Sequence, residues 1–167
     1  SAASNFKMMK AVTTRDLIAW AAGFIDGEGS IVLGVHQPKP GERIKKGGTN
    51  RRHAGQIKLT LAVWQTQEEP LMRLQMLFGG RIYPNPQRNE HSAPSWQWKL
   101  QDQHALDALL AIEPFVIRKN AQISIAKEFR TRVTGTTWGP PGMPDEEIAK
   151  RQVLKEAMSI LNQTGPR

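Results

Sequence analysis

The stretch from Thr14 to Ser30 constrains this chain most, because it must form a helix that ends on an acid. Leu17, Ile18, Ala21, Phe24 and Ile25 recur at helical spacing and make one apolar face. Thr14 is placed to cap the start. Asp16 falls in the first turn, where the helix dipole favours negative charge. The helix is expected to run from about Thr14 to Asp26. A second face, made of Ala19, Ala22, Gly23 and Asp26, is lined almost wholly by small side chains, so another backbone can approach it closely. Gly27 and Gly29 are expected to stop the helix by adopting conformations that other residues avoid. Glu28, held between them, then sits at the helix tip.

That position is electrostatically unfavourable. Asp26 and Glu28 lie at the negative end of the dipole, where cations are preferred. A divalent cation would compensate, and hard cations choose carboxylate and carbonyl oxygens. The plain alternative is a helix end with two solvated acids, and the residue pattern alone leaves both open.

Ala21 to Gly29 resembles the LAGLIDADG motif of homing endonucleases. Ala22, Gly23, Ile25, Asp26 and Gly29 match by identity. Phe24, Gly27 and Glu28 are common variants of that motif, and Ala21 is a weaker one. Ser30 and Ile31 open a strand directly afterwards, as the family pattern requires.

Net charge is +8, from 23 basic and 15 acidic residues. That balance favours a polyanionic partner, nucleic acid before a membrane surface. No run of about 18 apolar residues is present, so no membrane span is expected. There is no basic-then-apolar order of a signal peptide, and an intracellular, cytoplasmic protein is expected. Cysteine is absent, which removes disulfides and thiolate metal sites.

Four segments follow from the pattern: an N-terminal tail (1–12), a core (13–134), a glycine- and proline-rich linker (135–144) and a C-terminal helix with its tail (145–167). Ser30 to Gln37 reads as a strand stopped by Pro38 and Pro40. Residues 39–54 form a basic loop carrying Arg43, Lys45, Lys46, Arg51 and Arg52, suited to a phosphate backbone. Gln56 to Trp64 is the clearest strand. Ile57, Leu59, Leu61 and Val63 face one way, and Gln56, Lys58, Thr60, Ala62 and Trp64 the other. Thr66 to Glu69 has capping-box spacing before a helix through Leu71, Leu74, Leu77 and Phe78 that ends at Gly79 and Gly80. Arg81 to Tyr83 begins a third strand, broken by Pro84 and Pro86. Ser95 to Gln101 is a fourth, with Trp96, Trp98 and Leu100 apolar and Gln97, Lys99 and Gln101 polar. Asp102 is expected to cap the next helix, Pro114 to interrupt it, and a further helix to begin near Arg118, Lys119 and Asn120. The last helix, Asp145 to Asn162, has two placements open: around a partner subunit, or over the core. His36, His53, His91 and His104 show no metal-ligand spacing.

The order of elements predicts an α+β fold, an antiparallel four-stranded sheet with helices on one face. The family resemblance implies more: an αββαββα core whose saddle-shaped sheet lies on duplex DNA. Only one motif is present, and the single-motif type works as a homodimer. Two helices packed through Ala19, Ala22, Gly23 and Asp26 would place two copies of Glu28 side by side. Each subunit would read a half-site of ~10 base pairs, so the target is nearly palindromic. The implied reaction is hydrolysis of both DNA strands with roughly two or three divalent ions per dimer, Mg2+ first, with Ca2+ or Mn2+ as substitutes. Glu28 and the Gly27 carbonyl are the expected metal ligands, and Asp26 is expected to be structural.

Lys119, five residues after Pro114, matches the family's active-site lysine, with Arg118 as substitute or assistant. Gln65 matches the residue that positions water, and Gln67 competes for that role. Lys58, Thr60, Arg81, Gln97, Lys99 and Gln101 complete the expected DNA face with Gln56 and the basic loop. No membrane and no small-molecule cofactor are expected. Three rivals remain: an RNA-splicing maturase on the same scaffold, a non-catalytic DNA-binding regulator, and a basic ribosomal scaffold. The last explains the charge but not an acid held at a glycine-flanked helix end.

Overall fold

The computed structural model describes residues 11–35, 57–85, 89–135, 138–139 and 142–163. Arg43, Lys45, Lys46, Arg51, Arg52 and Gln56 lie outside the described residues. The elements run α1 (Thr14–Glu28), β1 (Gly29–Val35), β2 (Ile57–Gln65), α2 (Glu69–Phe78), β3 (Arg81–Asn85), β4 (Ser95–Gln101), α3 (Asp102–Ile112), a 3-10 turn (Glu113–Phe115), α4 (Asn120–Val133) and α5 (Asp145–Gln163). The strands form one antiparallel sheet in the order β1-β2-β4-β3. The expected α+β architecture is therefore present.

Alternation sets the two faces of the sheet. Ile31, Leu33, Leu59, Leu61, Val63, Trp98 and Leu100 are buried against the helices, in one cluster with Ala21, Ile25, Leu74, Leu109, Ile123 and Phe129. Burying each large aliphatic side chain removes apolar surface from water and stabilises the fold by roughly 1.5–3 kcal/mol. Lys58, Thr60, Gln97 and Lys99 alternate with these residues and point to the opposite face, which no described helix covers.

Local capping differs from the sequence reading in three places. Thr13, not Thr14, caps α1. Its hydroxyl accepts from the Asp16 N–H (3.2 Å), while its own N–H donates to the Asp16 carboxylate (2.9 Å). These bonds hold the Asp16 carboxyl below its usual range. Thr66 forms no capping box, because α2 starts at Glu69 behind Glu68, which makes no side-chain cap bond. Asp102 does not cap α3 either. It takes φ +50, and its carboxylate accepts from the Leu59 N–H (3.3 Å) and faces Arg130 (3.7 Å). Strand β4 ends at Gln101, so the carboxylate supplies the acceptor that the next strand residue would have offered Leu59.

Pro84 does not break β3, which continues to Asn85 opposite Ser95. An edge strand tolerates proline because one row of its backbone groups has no strand to pair with. The turn before β3 does require glycine. Gly80 has φ +88, and a Cβ there would lie 2.7 Å from the Lys99 carbonyl oxygen. Its neighbour Gly79 accepts at its carbonyl from the indole N–H of fully buried Trp98 (2.9 Å).

Helix α5 covers the core, with Leu154 and Met158 buried in the main cluster. Asn162 donates to the Ile31 carbonyl (2.9 Å), satisfying the free edge of β1. Arg151 is 4% exposed, and its charge is paired with Glu147 at 3.0 Å, the condition under which a buried cation is tolerated. Among the described residues no helix is long and apolar enough to cross a membrane.

Candidate active site at the tip of the first helix

Three separate elements meet where α1 runs into β1. The first is the helix tip. The helix continues through Gly27 to Glu28, and Gly29 is extended at φ −79°, so neither glycine is used for an unusual conformation. Gly29 is needed for space instead. A Cβ there would sit 2.6 Å from the Ile25 carbonyl oxygen and 2.8 Å from Ile25 Cγ2. This close passage lets the chain leave the helix directly into the sheet, with Glu28 exposed at the join.

The second element is the end of β2. Gly29 pairs with Val63, so Gln65, two residues on and pointing to the helix side, arrives beside the helix tip. Its side-chain amide donates to the Glu28 carboxylate at 3.4 Å. Gln67 is exposed in the turn beyond the strand. Gln65, not Gln67, is brought to Glu28.

The third element is the turn before α4. Asp26 is 7% exposed, and its carboxylate accepts from the backbone N–H groups of Ile117 (3.1 Å), Arg118 (3.0 Å to each oxygen) and Lys119 (3.0 Å). These are bonds to a charged acceptor across 91 to 93 residues of chain, and they lock the turn to α1. The Lys119 side chain folds back, and its Nζ donates to the Asp26 carbonyl at 2.7 Å. Carbonyls in the last turn of a helix have no intrahelical donor, so Lys119 satisfies one of them. Burial holds the Lys119 pKa below the ordinary lysine value. Asp26 opposes that shift, Arg118 adds to it, and Glu28 opposes it.

The face proposed for helix-to-helix contact divides in two. Ala22 is fully buried in this chain's own core and Asp26 is engaged with the turn before α4, so neither is available to another subunit. Both lie on the core side because Ala21, Ala22 and Ile25, flanked by half-buried Ile18, form a single buried arc that reaches Asp26. Ala19 is half-buried and Gly23 is exposed. Gly27, four residues further along, joins them in an outward strip. A Cβ at Gly23 or Gly27 would meet nothing within 4 Å. Beside that strip Trp20 and Phe24 stack, with ring centroids 5.4 Å apart and planes at 11°. The sequence reading missed Trp20, although its four-residue spacing from Phe24 was the available signal.

The donor set suits a hard divalent ion. Glu28 offers a solvent-facing carboxylate, no basic residue lies in the last helical turn, and the Gly27 carbonyl is beyond the intrahelical ladder. All donors are oxygens. Among the described residues no group of three or more His, Cys, Asp or Glu could hold a metal.

On the sheet face away from the helices, Lys58, Thr60, Gln97 and Lys99 are half-exposed, and Arg81 and Gln101 are exposed. The register aligns Thr60 with Gln101, and Lys99 with Arg81. His91 and His104 are exposed.

This architecture is the fold of the LAGLIDADG homing endonucleases. The homing endonuclease I-CvuI, in complex with its target in the presence of calcium, matches with a TM-score of 0.68 at 18% identity, over 92% of this chain and 87% of that one. The archaeal intron-encoded homing endonuclease I-Vdi141I, complexed with DNA, gives 0.62 at 15% identity, over 90% and 86%. The LAGLIDADG homing endonuclease I-SmaMI bound to cleaved DNA gives 0.55 at 17% identity, over 90% of this chain and 49% of that longer one. No protein-family model and no curated protein sequence matches the chain.

Proposed function

We propose that this chain is a site-specific double-stranded DNA endonuclease that acts as a homodimer and hydrolyses phosphodiester bonds with divalent metal. The observation that carries this reading is the meeting of Glu28, Gln65 and Lys119, from three elements, at the border of an open cationic sheet face. The fold shared with the homing endonucleases I-CvuI and I-Vdi141I supports it.

Glu28 and the Gly27 carbonyl would hold the metal, Mg2+ first, with Ca2+ or Mn2+ as substitutes. When bound, such an ion supplies a Lewis acid for the phosphate and makes water a better nucleophile. The chain's own groups do the rest. Gln65 holds one Glu28 oxygen and has its amide carbonyl free to orient water. Lys119 carries a proton at Nζ next to the site, and its lowered pKa makes that proton easier to give up than an ordinary lysine's. Asp26 holds Lys119 in place from both sides, through the backbone N–H and through its own carbonyl.

Homodimerisation is supported by two features. A single chain carries one exposed acid at the tip, which is half of what a symmetric cut on two strands needs. The Ala19–Gly23–Gly27 strip leaves room for a second helix, and a two-fold axis through it would bring two Glu28 residues together. Lys58, Thr60, Arg81, Gln97, Lys99 and Gln101 would face the duplex, and the basic residues from Arg43 to Arg52 would reach phosphates. A near-palindromic target follows.

The test is magnesium-dependent cleavage of a randomised palindromic duplex library, with light scattering to size the protein on DNA. Glu28→Gln should lower cleavage by at least about a hundredfold while DNA binding persists. Equal loss of both would make Glu28 structural. A monomer on cleaved DNA would overturn the dimer.

A further inference from the structure

The turn that carries Lys119 is gripped from two sides. On one side the Asp26 carboxylate accepts from the N–H groups of Ile117, Arg118 and Lys119. On the other stands Asn120, the first residue of α4. Its side-chain Nδ2 donates to the Val116 carbonyl (3.0 Å) and to the Ile117 carbonyl (3.3 Å). The two grips act on the same peptide units. The unit joining Val116 to Ile117 sends its N–H to Asp26 and its C=O to Asn120. The unit joining Ile117 to Arg118 does the same. A trans peptide is planar, and its N–H and C=O point in opposite directions, so fixing the carbonyl also fixes where the N–H aims. Hydrogen bonds linked through such a unit polarise one another. An asparagine that caps a helix accepts from the N–H groups of the first turn. Asn120 lies one position past the cap, which Lys119 occupies without a side-chain cap bond, and its amide turns back instead. Asn120 is also exposed. Neither capping nor burial explains an amide at this position.

Resting on the DNA-cleaving reading above, we propose that Asn120 is a positioning residue for Lys119, setting the angle of the turn that lays the lysine side chain across the end of α1. Its two carbonyl bonds orient the peptide units whose N–H groups meet Asp26. Lys119 follows directly, and its own N–H completes that set. From there its side chain reaches the Asp26 carbonyl, with Nζ at 2.7 Å. Glu28 is two residues further along the same helix, so a shift of the turn moves the ammonium relative to the exposed carboxylate. The position calls for a primary amide, because two donors on one nitrogen match two carbonyls. Aspartate would face both with acceptors, serine would supply one donor, and alanine none. Releasing the carbonyls frees the peptide units to rotate, and a displacement of ~1 Å at a reacting group costs up to ~10²-fold in rate.

The experiment is steady-state cleavage by the full chain in magnesium, on the duplex that the wild-type chain cuts best in the randomised palindromic library. Asn120→Ala should lower kcat by about tenfold or more and leave KM within about twofold. Its Tm should fall by no more than about 5 °C, because Asn120 is exposed and water can take the place of its amide. A larger fall would make Asn120 structural and overturn the inference, as would an unchanged kcat. A second variant removes the lysine. In a Lys119→Met background, Asn120→Ala should cost less than about twofold further, since an effect relayed through Lys119 has nothing left to act on. An equal loss in both backgrounds would overturn the inference. The spectroscopic readout is the Lys119 ammonium 15N signal, assigned by its absence in Lys119→Met. Bonded to the Asp26 carbonyl, its protons should exchange slowly with water in the wild-type chain and about tenfold faster or more in Asn120→Ala. Equal exchange in the two chains overturns the inference whatever the kinetics. If the wild-type chain cuts no member of the library, the endonuclease reading falls, and the ammonium signal alone decides whether Asn120 positions Lys119.

Discussion

Asp26 carries a prediction whose size can be worked from its contacts. One carboxylate oxygen accepts from Arg118 and Lys119, the other from Ile117 and Arg118. Asp26→Asn keeps the shape but turns one oxygen into a donor. Whichever way the amide is set, one N–H, Ile117 or Lys119, is left facing another donor. A buried N–H without a partner costs ~1–3 kcal/mol, and the bonds that survive each lose roughly 1 kcal/mol of charge assistance. The sum is about 4 kcal/mol, a large part of the ~5–15 kcal/mol that keeps a domain folded. At roughly 2–4 °C per kcal/mol for a chain of this size, Tm should fall by about 8–16 °C. Amide hydrogen exchange gives the local readout: Ile117, Arg118 and Lys119 should lose protection more than the core amides of β2. Cleavage measured below the new Tm should still drop, because Lys119 is held through Asp26. A Tm within about 2 °C of wild type, or exchange that rises evenly over the chain, would refute the claim that this carboxylate pins the turn.

Other consequences follow from single contacts. Gly29→Ala forces a Cβ against the Ile25 backbone and should cost ~1–3 kcal/mol in urea denaturation, with cleavage lost as Glu28 is displaced. Gly23→Ala and Gly27→Ala meet open space, so the monomer should gain ~0.5–1 kcal/mol, while sedimentation equilibrium should show a weaker dimer. Lys119 has a folded-state pKa below 10.5, so between the two values the unfolded chain binds more protons. Stability should therefore climb as pH rises through that window, and Lys119→Met should remove that slope from the pH series of denaturation curves. The same lowered pKa should bring the alkaline fall in cleavage rate below that of an ordinary lysine, and Lys119→Arg should move the fall upward. Met158→Ala should cost ~2–4 kcal/mol in the same urea assay, since α5 is part of the core and not a detachable arm.

Element order was legible because burial repeats locally. Ile57, Leu59, Leu61 and Val63 announce β2, and Trp96, Trp98 and Leu100 announce β4, without reference to any partner. The features that escaped depend on residues far away in sequence. Asp102 looks like a helix cap beside Gln103 and His104, but Leu59 and Arg130 decide its role. Ala22 looks like a contact for another helix until its own core closes over it. Gly29 looks like a conformational stop, while the requirement is room beside Ile25. The choice between Gln65 and Gln67 could not be made from spacing, because it turns on the β1–β2 register, which fixes Gln65 beside Glu28. Pro84 read as a breaker because position at the sheet edge is a property of topology.

Helix α1 shows why so short a motif is so restrictive. Its inner arc, Ala21, Ala22 and Ile25, must fit the core. Its flank must end in Asp26, the only acid at a spot where three backbone N–H groups converge. Its outer strip is small at Ala19, Gly23 and Gly27, although a Cβ at either glycine would meet nothing within 4 Å in the monomer. Two neighbours within the chain thus set two sides of one rod, and in the proposed dimer the second subunit sets the third. Errors on each side should be separable. An inner substitution should lower stability alone, a flank substitution should lower stability and move Lys119, and an outer substitution should spare both while weakening association. An outer variant that lost cleavage without losing association would break this division. It would mean that the strip acts on Glu28 within one chain.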